Sequence, residues 1–290
     1  MSQGISKVVF PVAGFGTRFL PATKSVAKEL LPVLDRPLIQ FAVDEAADAG
    51  ADTLVFVTNR NKHAIADYFD CAYELEDRLR QDGKNEVLSA VQETLPRGMR
   101  AVFVTQPHAL GLGHAVACAR PVIGEEPFGV ILPDDLILTK GPGALRQMAE
   151  VALREDAAVL AVQDVERRET ASYGIVDAEP VDERCCLIRH LVEKPRPDEA
   201  PSTLGVVGRY VLPARIFALL ESTEPGRGGE IQLTDAIDAL IRDGRVLAWR
   251  FAGRRFDCGR KAGLLEATLH LALQDPELAQ LVHAANAAQS

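Results

Sequence analysis

The sequence predicts an α/β fold: a doubly wound, mainly parallel sheet of the Rossmann-like kind, with a mixed or antiparallel extension. In the first half of the 290 residues, short apolar runs alternate with helical patterns, which is typical of βαβ units. In the second half, the apolar runs follow one another with less helix between them. Ligands of such sheets bind at the carboxyl ends of the strands, so motifs directly after an apolar run are the first candidates for a site.

Five apolar runs of the first half have the length of buried strands, and four segments between them have helical patterns. The predicted strands are Val8–Val12, Thr53–Val57, Ala101–Thr105, Phe128–Leu132 and Ala157–Val162. The predicted helices are Leu38–Ala49, Lys62–Phe69, Gly113–Ala119 and Gly143–Leu153. A charged helical insert is predicted over Asp70–Gly98.

The second half is predicted to contain three strands and a helical end. The strands are Gly174–Asp177, Leu187–Val192 and Leu204–Leu212. The helices are Pro213–Leu220, Glu230–Ile241 and Lys261–Ala288, the last with a break near Pro276. We expect the leucines of this last segment to belong to the core rather than to a subunit contact: Leu264, Leu265, Leu269, Leu271 and Leu273.

Composition and charge disfavour several classes of protein. Hydrophobic residues make up 47% and charged residues 25%, as in ordinary globular proteins. The formal net charge of −9 argues against a nucleic-acid binder, which normally has a basic face. Five cysteines without a C-x-x-C pair predict reduced thiols rather than disulfides or a zinc site. No apolar run approaches the roughly 20 residues of a membrane helix, and no signal peptide is evident, so we expect a cytoplasmic protein that enters no membrane.

The most informative stretch is a strand that ends in two glycines and continues into a cationic loop. In FPVAGFGTRFLPATKSVAKELLP, Gly14 and Gly16 precede Arg18, Lys24 and Lys28. Glycine lets the backbone approach a phosphate closely, and successive N–H groups form an anion-binding concavity. The pattern indicates a long loop that wraps a triphosphate; the alternative is a surface turn with solvated charges.

Two common glycine motifs do not fit this loop. A P-loop needs G-x-x-x-x-G-K-[ST], but Phe19 stands five residues after Gly14. A dinucleotide-binding turn needs G-x-G-x-x-G/A at the start of a helix, whereas Phe19 holds the third position and Pro21 follows it closely. A dinucleotide-dependent oxidoreductase is therefore disfavoured.

The stretch VAGFGTRFLPATKSVAKELLPVLDRPLIQ resembles the signature of the sugar-1-phosphate nucleotidyltransferases. Four further stretches extend the resemblance over nearly the whole chain: FDCAYELE at 69–76, TQPHALGLGHAV at 105–116, VEKP at 192–195 and GEIQLTDAI at 229–237. The insert with YELE favours the uridylyl branch over the thymidylyl enzymes, which as a family lack it. One departure is Ala27, where this branch usually has proline.

The resemblance implies a glycosyltransferase-A-like fold and transfer of a uridylyl group from UTP to glucose 1-phosphate with Mg²⁺. It implies one domain over 1–290, with a nucleotide-binding half at about 1–155, a sugar-phosphate-binding half at about 156–260 and C-terminal helices at 261–290. It also implies a homo-oligomer, either a dimer or a tetramer. The alternatives are another nucleotide or sugar phosphate, or a non-catalytic paralogue that binds UDP-glucose.

Candidate ligands of the phosphates and the metal lie in three stretches. Asp134 and Asp135 follow a predicted strand, where carboxylates can hold Mg²⁺ or cap a turn. The resemblance implies that Asp134 binds the metal and the nucleotide, and that Asp257 joins it, unless Asp257 is a structural turn residue. It further implies that Arg18 and Lys28 are catalytic and bind the phosphates.

The base is assigned to other residues. Gln106 can donate and accept hydrogen bonds, which suits the imide edge of uracil, and Gly111 permits close approach. The resemblance implies that both contact uracil, while His114 is expected to be structural. The nucleotide-binding set is completed by the glycine loop: Ala13, Gly14, Gly16 and Thr17.

The sugar phosphate is assigned to VEKP and two glycines. Glu193 and Lys194 end a predicted strand, where such a pair is usually a weak solvated ion pair. The resemblance implies that Glu193 binds sugar hydroxyls and that Lys194, as a catalytic residue, contacts the sugar phosphate. Gly174 and Gly208 would line the glucose pocket, where a side chain would obstruct; the alternative is ordinary strand glycine.

Overall fold

The computed structural model describes residues 4–287, which form one large sheet with helices on both faces and two small sheets. The strands are β1 Lys7–Pro11, β2 Pro32–Val33, β3 Arg36–Pro37, β4 Thr53–Thr58, β5 Arg100–Thr105, β6 Phe128–Ile131, β7 Asp135–Leu138, β8 Ala158–Asp164, β9 Gly174–Pro180, β10 Cys185–Glu193, β11 Leu204–Leu212, β12 Val246–Trp249 and β13 Arg254–Asp257. The α-helices are α1 Leu38–Asp48, α2 His63–Phe69, α3 Tyr73–Gln81, α4 Asn85–Gln92, α5 Gly111–Cys118, α6 Arg120–Ile123, α7 Ala144–Glu155, α8 Ile216–Ser222, α9 Leu233–Asp243, α10 Lys261–Ala272 and α11 Pro276–Ala287.

The large sheet has the strand order β5-β4-β1-β6-β11-β8-β12-β10-β9. Strands β5, β4, β1 and β6 are mutually parallel, as the alternating pattern of the first half predicts. Strand β11 runs antiparallel to β6 and β8, and β9 runs antiparallel to β10. The predicted fold class is confirmed, including the change from a parallel to a mixed arrangement.

Sequence and structure agree on most elements. The five strands predicted in the first half recur with bounds within two residues, and the insert over 70–98 contains α3 and α4. The helix predicted from Glu230 begins only at Leu233, because the residues before it are extended. The C-terminal segment is broken before Pro276 as predicted; Ala288 lies outside the described residues.

Two apolar clusters lie on opposite faces of the large sheet. Along β1, Val8 and Phe10 point to one face and Val9 to the other, all fully buried, as the alternation of side chains in a strand requires. Helices α1 and α7 cover the first face, and α5, α8 and α9 cover the second. The strand ends that carry the candidate residues therefore rest on a packed core.

A third, smaller cluster lies under α10 and next to the sheet of β7 and β13. Leu264 and Leu271 pack against it, as expected for core residues. The core expectation is wrong for Leu265, Leu269 and Leu273, whose exposed fractions are 58%, 39% and 47%. None of the helices within residues 4–287 combines the length and apolar character needed to cross a membrane.

The sheet of β7 and β13 was not predicted, and it places both aspartate motifs together. Its antiparallel register puts Asp135 opposite Asp257, although 122 positions separate them in the chain. Neither four-residue strand stands out in the sequence. The pairing brings a strand from the first half of the chain against a strand from the second half.

Candidate active site

A cavity of about 420 Å³ opens where the two halves of the large sheet meet. Its walls come from the loop after β1 and from the ends of β6, β10 and β13, together with β9 and β11. Seven predicted residues line it: Arg18, Asp134, Gly174, Glu193, Lys194, Gly208 and Asp257. Residues that are distant in the chain therefore converge at the strand ends, where ligands of such sheets bind.

The glycine loop after β1 is irregular, as predicted, with three single turns of 3₁₀-helix between residues 17 and 30. Gly16 has a φ of 64°, and the Thr23 hydroxyl donates to its carbonyl at 2.8 Å. A Cβ on Gly16 would lie 3.1 Å from Cβ of Lys28. Both the backbone angle and the lack of space favour glycine, because the loop folds back and brings Lys28 beneath its own start.

Lys28 does not line the cavity directly but meets Asp134, with 2.5 Å between Nζ and Oδ2. Burial lowers the pKa of Lys28, but the carboxylates of Asp134 and Glu29 outweigh it, and the pKa is raised. Burial raises the pKa of Asp134, but the Lys28 ammonium outweighs it, and the pKa is lowered. The pair is therefore ionised at neutral pH and presents a carboxylate to the cavity.

Asp135, in contrast, is fully engaged by the protein. Its Oδ2 accepts the Gly208 N–H at 2.8 Å, and its Oδ1 accepts Nε–H of Arg255 at 2.6 Å. A Cβ on Gly208 would lie 2.7 Å from Cβ of Leu132 and 2.9 Å from Cβ of Asp135. Glycine is required at position 208 because the wall of the cavity is packed there. Asp135 has a structural role, since both of its carboxylate oxygens accept hydrogen bonds from the protein.

The floor of the cavity is held by a buried ion pair between Arg209 and Glu45, whose side chains are 1% and 7% exposed. The Arg209 guanidinium also donates to the carbonyls of Leu132 and Gly208 at 3.2 and 3.0 Å. Arg209 thereby connects the end of β6, which precedes Asp134, to β11. Sequence reasoning missed this residue because its partner Glu45 lies 164 positions away in the chain, where no local pattern connects the two.

The carboxylates of Asp134 and Asp257 both lie close to Gly259. A Cβ on Gly259 would lie 3.0 Å from Oδ2 of Asp134, 3.1 Å from Oδ1 of Asp257 and 3.5 Å from Nη1 of Arg18. The missing side chain leaves room at the point where these groups converge. Two carboxylates are what Mg²⁺ takes from a protein when phosphate oxygens and water supply the remaining ligands. Within residues 4–287 no cluster of three or more metal-ligating side chains is present.

Glu193 and Lys194 line the cavity at the end of β10. Oε2 of Glu193 accepts a hydrogen bond from the Thr234 hydroxyl at 2.6 Å, and Oε1 lies 2.7 Å from Nζ of Lys194. Lys194 has a φ of 47°, unusual for a residue other than glycine, and its N–H donates to the Tyr173 carbonyl at 2.9 Å. Residues in such conformations cluster at ligand sites. A Cβ on Gly174 would make ordinary contact with Glu193 and Thr234 at 3.4–3.5 Å.

Gln106 and Gly111 lie together but do not line the cavity of about 420 Å³. Gln106 is 8% exposed; its Nε2 donates to the Gly111 carbonyl at 3.1 Å and lies 3.0 Å from Nδ1 of His114. Burial lowers the pKa of His114 and so favours the neutral ring. A neutral, hydrogen-bonded ring is consistent with the structural role expected for this histidine. Gly111 has a φ of 91°, and a Cβ there would lie 2.7 Å from Cβ of Glu230.

Ala13, Gly14 and Thr17 belong to the glycine loop but do not line the cavity of about 420 Å³. Nδ2–H of Asn59, at the end of β4, donates to the Ala13 carbonyl at 2.5 Å. Thr17 lines a neighbouring cavity of about 500 Å³. A Cβ on Gly14 would approach Cε of Lys28 no closer than 3.9 Å, so space alone does not require glycine there.

Three further cavity residues form a network that sequence reasoning missed. The Tyr173 hydroxyl accepts hydrogen bonds from Arg255 at 3.3 Å and from Arg260 at 3.2 Å. Arg260 also donates to Asp257 through Nε at 2.5 Å. The available signal was the density of arginines in RRFDCGRK around the candidate aspartate.

A larger cavity, of about 1210 Å³, lies beside α7 and α10. Of the described residues that line it, none is an aspartate or one of the predicted site residues. Its walls do not combine paired carboxylates with the glycine loop, so we place the chemistry in the smaller cavity.

Comparisons with known proteins agree with this geometry. The family described as nucleotidyl transferase matches residues 7–274. A UTP–glucose-1-phosphate uridylyltransferase of Pseudomonas aeruginosa is 46% identical over 265 residues, covering 91% of this chain and 95% of that protein. A solved UTP-bound UGPase of Acinetobacter baumannii is 44% identical with a TM-score of 0.88, covering 96% of this chain and 97% of that one. A solved UDP-glucose pyrophosphorylase complexed with UDP-glucose is 40% identical with a TM-score of 0.85, covering 93% and 100% of the two chains.

The fold and the cavity define an enzyme of phosphorylated substrates, with a cationic glycine loop facing two carboxylates across a strand-end cleft. The chain belongs to the nucleotidyl transferase family. The resemblance to its uridylyl branch, inferred from the sequence motifs, is confirmed by these relatives.

Proposed function

We propose that the chain transfers a uridylyl group from UTP to α-D-glucose 1-phosphate, giving UDP-glucose and pyrophosphate. The observation that carries this proposal is one cavity in which Arg18 and Asp134 of the nucleotide half face Glu193 and Lys194 of the sugar half. Relatives that bear this activity in their names are 44–46% identical over at least nine tenths of the chain.

The reaction needs no general base. A phosphate monoester is largely ionised at neutral pH, since its second pKa is about 6, and one of its oxygens can attack the α-phosphorus of UTP directly. The new bond joins that oxygen to the α-phosphorus, and the bond from the α-phosphorus to the bridging oxygen breaks, so pyrophosphate leaves with the electron pair. Catalysis then consists of bringing two polyanions together in line and stabilising the developing charge.

The side chains are placed to divide this work. Arg18 forms no salt bridge among the described residues, so its guanidinium is available for the departing pyrophosphate. Lys28 would hold the triphosphate from beneath the glycine loop. Lys194 would neutralise the attacking phosphate, and Glu193 would orient the sugar through its hydroxyls. The uracil would lie against Gln106 and Gly111, at the edge of the same cleft.

Mg²⁺ is the proposed cofactor, held by Asp134 with Asp257 as a second ligand. When bound, it would neutralise charge on the phosphate oxygens and orient them. We assign the metal to this pair because Asp135 is engaged by Gly208 and Arg255, whereas Asp134 and Asp257 both reach the open point beside Gly259.

We also propose that the chain assembles as a homo-oligomer, a dimer or a tetramer, and works in the cytoplasm. Three exposed leucines of α10 and the residue after it, Leu265, Leu269 and Leu273, provide an apolar surface for assembly. All five cysteines are free thiols, as expected in a reducing compartment. Light scattering coupled to size-exclusion chromatography would determine the oligomeric state.

The direct test is pyrophosphate release with Mg²⁺, offering UTP, dTTP, CTP, ATP and GTP separately against glucose 1-phosphate. We expect strong release with UTP and loss of release on addition of a chelator. Release with a different nucleotide alone would overturn the assignment of the base site around Gln106. Tight binding of UDP-glucose without release for any pair would instead identify a non-catalytic binding protein.

A further inference from the structure

Each of the three aspartates at the metal end of the cavity has its own cationic partner. The pairs are Lys28–Asp134, Arg255–Asp135 and Arg260–Asp257, with N···O distances of 2.5, 2.6 and 2.5 Å. We propose that Lys28 and Arg260 are internal counterions that occupy the two metal ligands until substrate phosphates draw them away. The divalent cation and the phosphates then bind as a coupled set. This inference rests on the proposed function, since it requires phosphorylated substrates in this cavity.

The three pairs differ in burial, and the difference separates structural from exchangeable partners. Arg255 and Asp135 are 9% and 12% exposed. The side chains of Lys28 and Asp134 are 22% and 23% exposed, and those of Arg260 and Asp257 are 45% and 25% exposed. Asp134, Asp257 and Arg260 line the cavity, and the greater exposure of these two pairs lets a ligand reach them.

Each cation holds one oxygen of the carboxylate that it pairs with. Oδ2 of Asp134, the oxygen nearest the open point beside Gly259, is the atom that Lys28 holds. In Asp257, Oδ2 binds Arg260 and Oδ1 accepts the Gly259 N–H at 3.2 Å. An entering divalent cation must therefore compete with Lys28 for Oδ2 of Asp134, and with Arg260 for the charge of the Asp257 carboxylate.

Charge explains why the substrates would reverse this arrangement. With each carboxylate paired to a cation, and with Arg18 beside them, the site has no net negative charge to attract a divalent ion before substrates bind. Phosphate groups give both cations new anionic partners and supply oxygens to the metal. Each ligand therefore strengthens the binding of the other by the same factor, because coupling between two binding events is reciprocal.

The two counterions lie on different sides of the cavity. Lys28 belongs to the glycine loop, on the side of the triphosphate. Arg260 donates to the Tyr173 hydroxyl at 3.2 Å and lies 3.4 Å from Glu169, on the side that carries Lys194. The nucleotide would thus release Asp134, and the sugar phosphate would release Asp257, so the complete metal site forms only when both substrates are bound.

The test is the affinity of the substrate-free enzyme for Mn²⁺, followed by the electron paramagnetic resonance signal of free Mn²⁺. We expect R260Q to bind Mn²⁺ about tenfold more tightly than the wild type, because a competing charge is removed. R260K keeps the charge and should bind as weakly as the wild type. The double variant R260Q/D257N should lose the gain, since the released carboxylate is also removed.

Arg250→Gln is the matched control, because Arg250 forms an exposed ion pair with Asp164 away from this cavity. Unchanged Mn²⁺ affinity in R260Q, or an equal gain in the Arg250 variant, would overturn the proposal. If R260Q melts well below the wild type, Lys28→Met provides the same comparison at Asp134. Pyrophosphate release by the wild type, assayed separately, keeps failure of the proposed function distinct from failure of this inference.

Discussion

Glu29 and Lys62 form a buried ion pair beneath the glycine loop, with 2.7 Å between Oε2 and Nζ. The Glu29 side chain is fully buried and that of Lys62 is 6% exposed. Glu29 follows Lys28 in the loop, and Lys62 directly precedes α2, so the pair fastens the loop to the body of the domain. Oε1 of Glu29 has no hydrogen-bond partner among the described residues, so Lys62 is the main compensation for the buried charge.

Replacing Lys62 by methionine should therefore destabilise the fold strongly. Removal of one partner leaves an uncompensated buried carboxylate, which typically lowers the free energy of unfolding by about 3–5 kcal/mol. Urea denaturation would measure this loss. Lys140→Met is the control, because Lys140 is exposed and forms no salt bridge among the described residues; its effect should stay within about 0.5 kcal/mol.

The loss in the Lys62 variant should also depend on pH. Burial already raises the pKa of Glu29, opposed chiefly by Lys62, and removing Lys62 should raise that pKa further. A carboxyl group whose pKa is raised by folding stabilises the fold below its unfolded pKa and loses that contribution as the pH rises through the folded pKa. The variant should thus be closer to the wild type at about pH 5 than at about pH 8. An equal loss at both values would mean that Glu29 is neutralised by another group.

Local patterns predicted the parts of the site that lie within one segment. The strand before Gly14, the irregular loop and the strand ends at Asp134 and Glu193 follow from apolar runs and their interruptions. These features depend on residues close together in the chain, so periodicity and turn chemistry suffice to find them.

Partners distant in sequence could not be predicted in this way. The pairing of β7 with β13 sets the distance between Asp134 and Asp257, and no local pattern specifies that register. The same holds for the two hydrogen bonds that join Tyr173 to Arg255 and Arg260. Such contacts follow from the packed three-dimensional arrangement rather than from the propensity of any one segment.

Replacing Arg18 by alanine should lower kcat more than it lowers the affinity for UTP. The guanidinium lies beside the carboxylates of Asp134 and Asp257 and would meet charge that develops on the leaving pyrophosphate. Loss of one such group typically reduces kcat about 10²–10³-fold. Steady-state kinetics with varied UTP would measure the two parameters, and R18K should recover part of the rate. An unchanged kcat with a raised KM would contradict a role in the transition state.

Replacing Lys194 by alanine should impair the use of glucose 1-phosphate far more than the binding of UTP. A hydrogen bond to a charged group contributes about 1.5–3 kcal/mol, so the affinity for the sugar phosphate should fall roughly 10–100-fold. Calorimetry with each substrate would separate the two effects. Arg196→Ala is the control, because its side chain is 71% exposed and pairs with the neighbouring carboxylates of Asp198 and Glu199. Intact binding of the sugar phosphate in K194A would place Lys194 outside the sugar site.

Replacing Gly208 by alanine should disturb both the wall of the cavity and the carboxylate of Asp135. The added Cβ would lie 2.7 Å from Cβ of Leu132 and 3.0 Å from Oδ2 of Asp135, so backbone or carboxylate must move. Overpacking of this kind lowers stability by about 1–3 kcal/mol, and the displaced Asp135 should also loosen Arg255. Gly141→Ala is the matched control, because a Cβ there meets nothing within 4 Å. Thermal unfolding and kcat/KM for glucose 1-phosphate should both fall in G208A and stay unchanged in G141A; equal behaviour of the two variants would show that the wall yields without consequence.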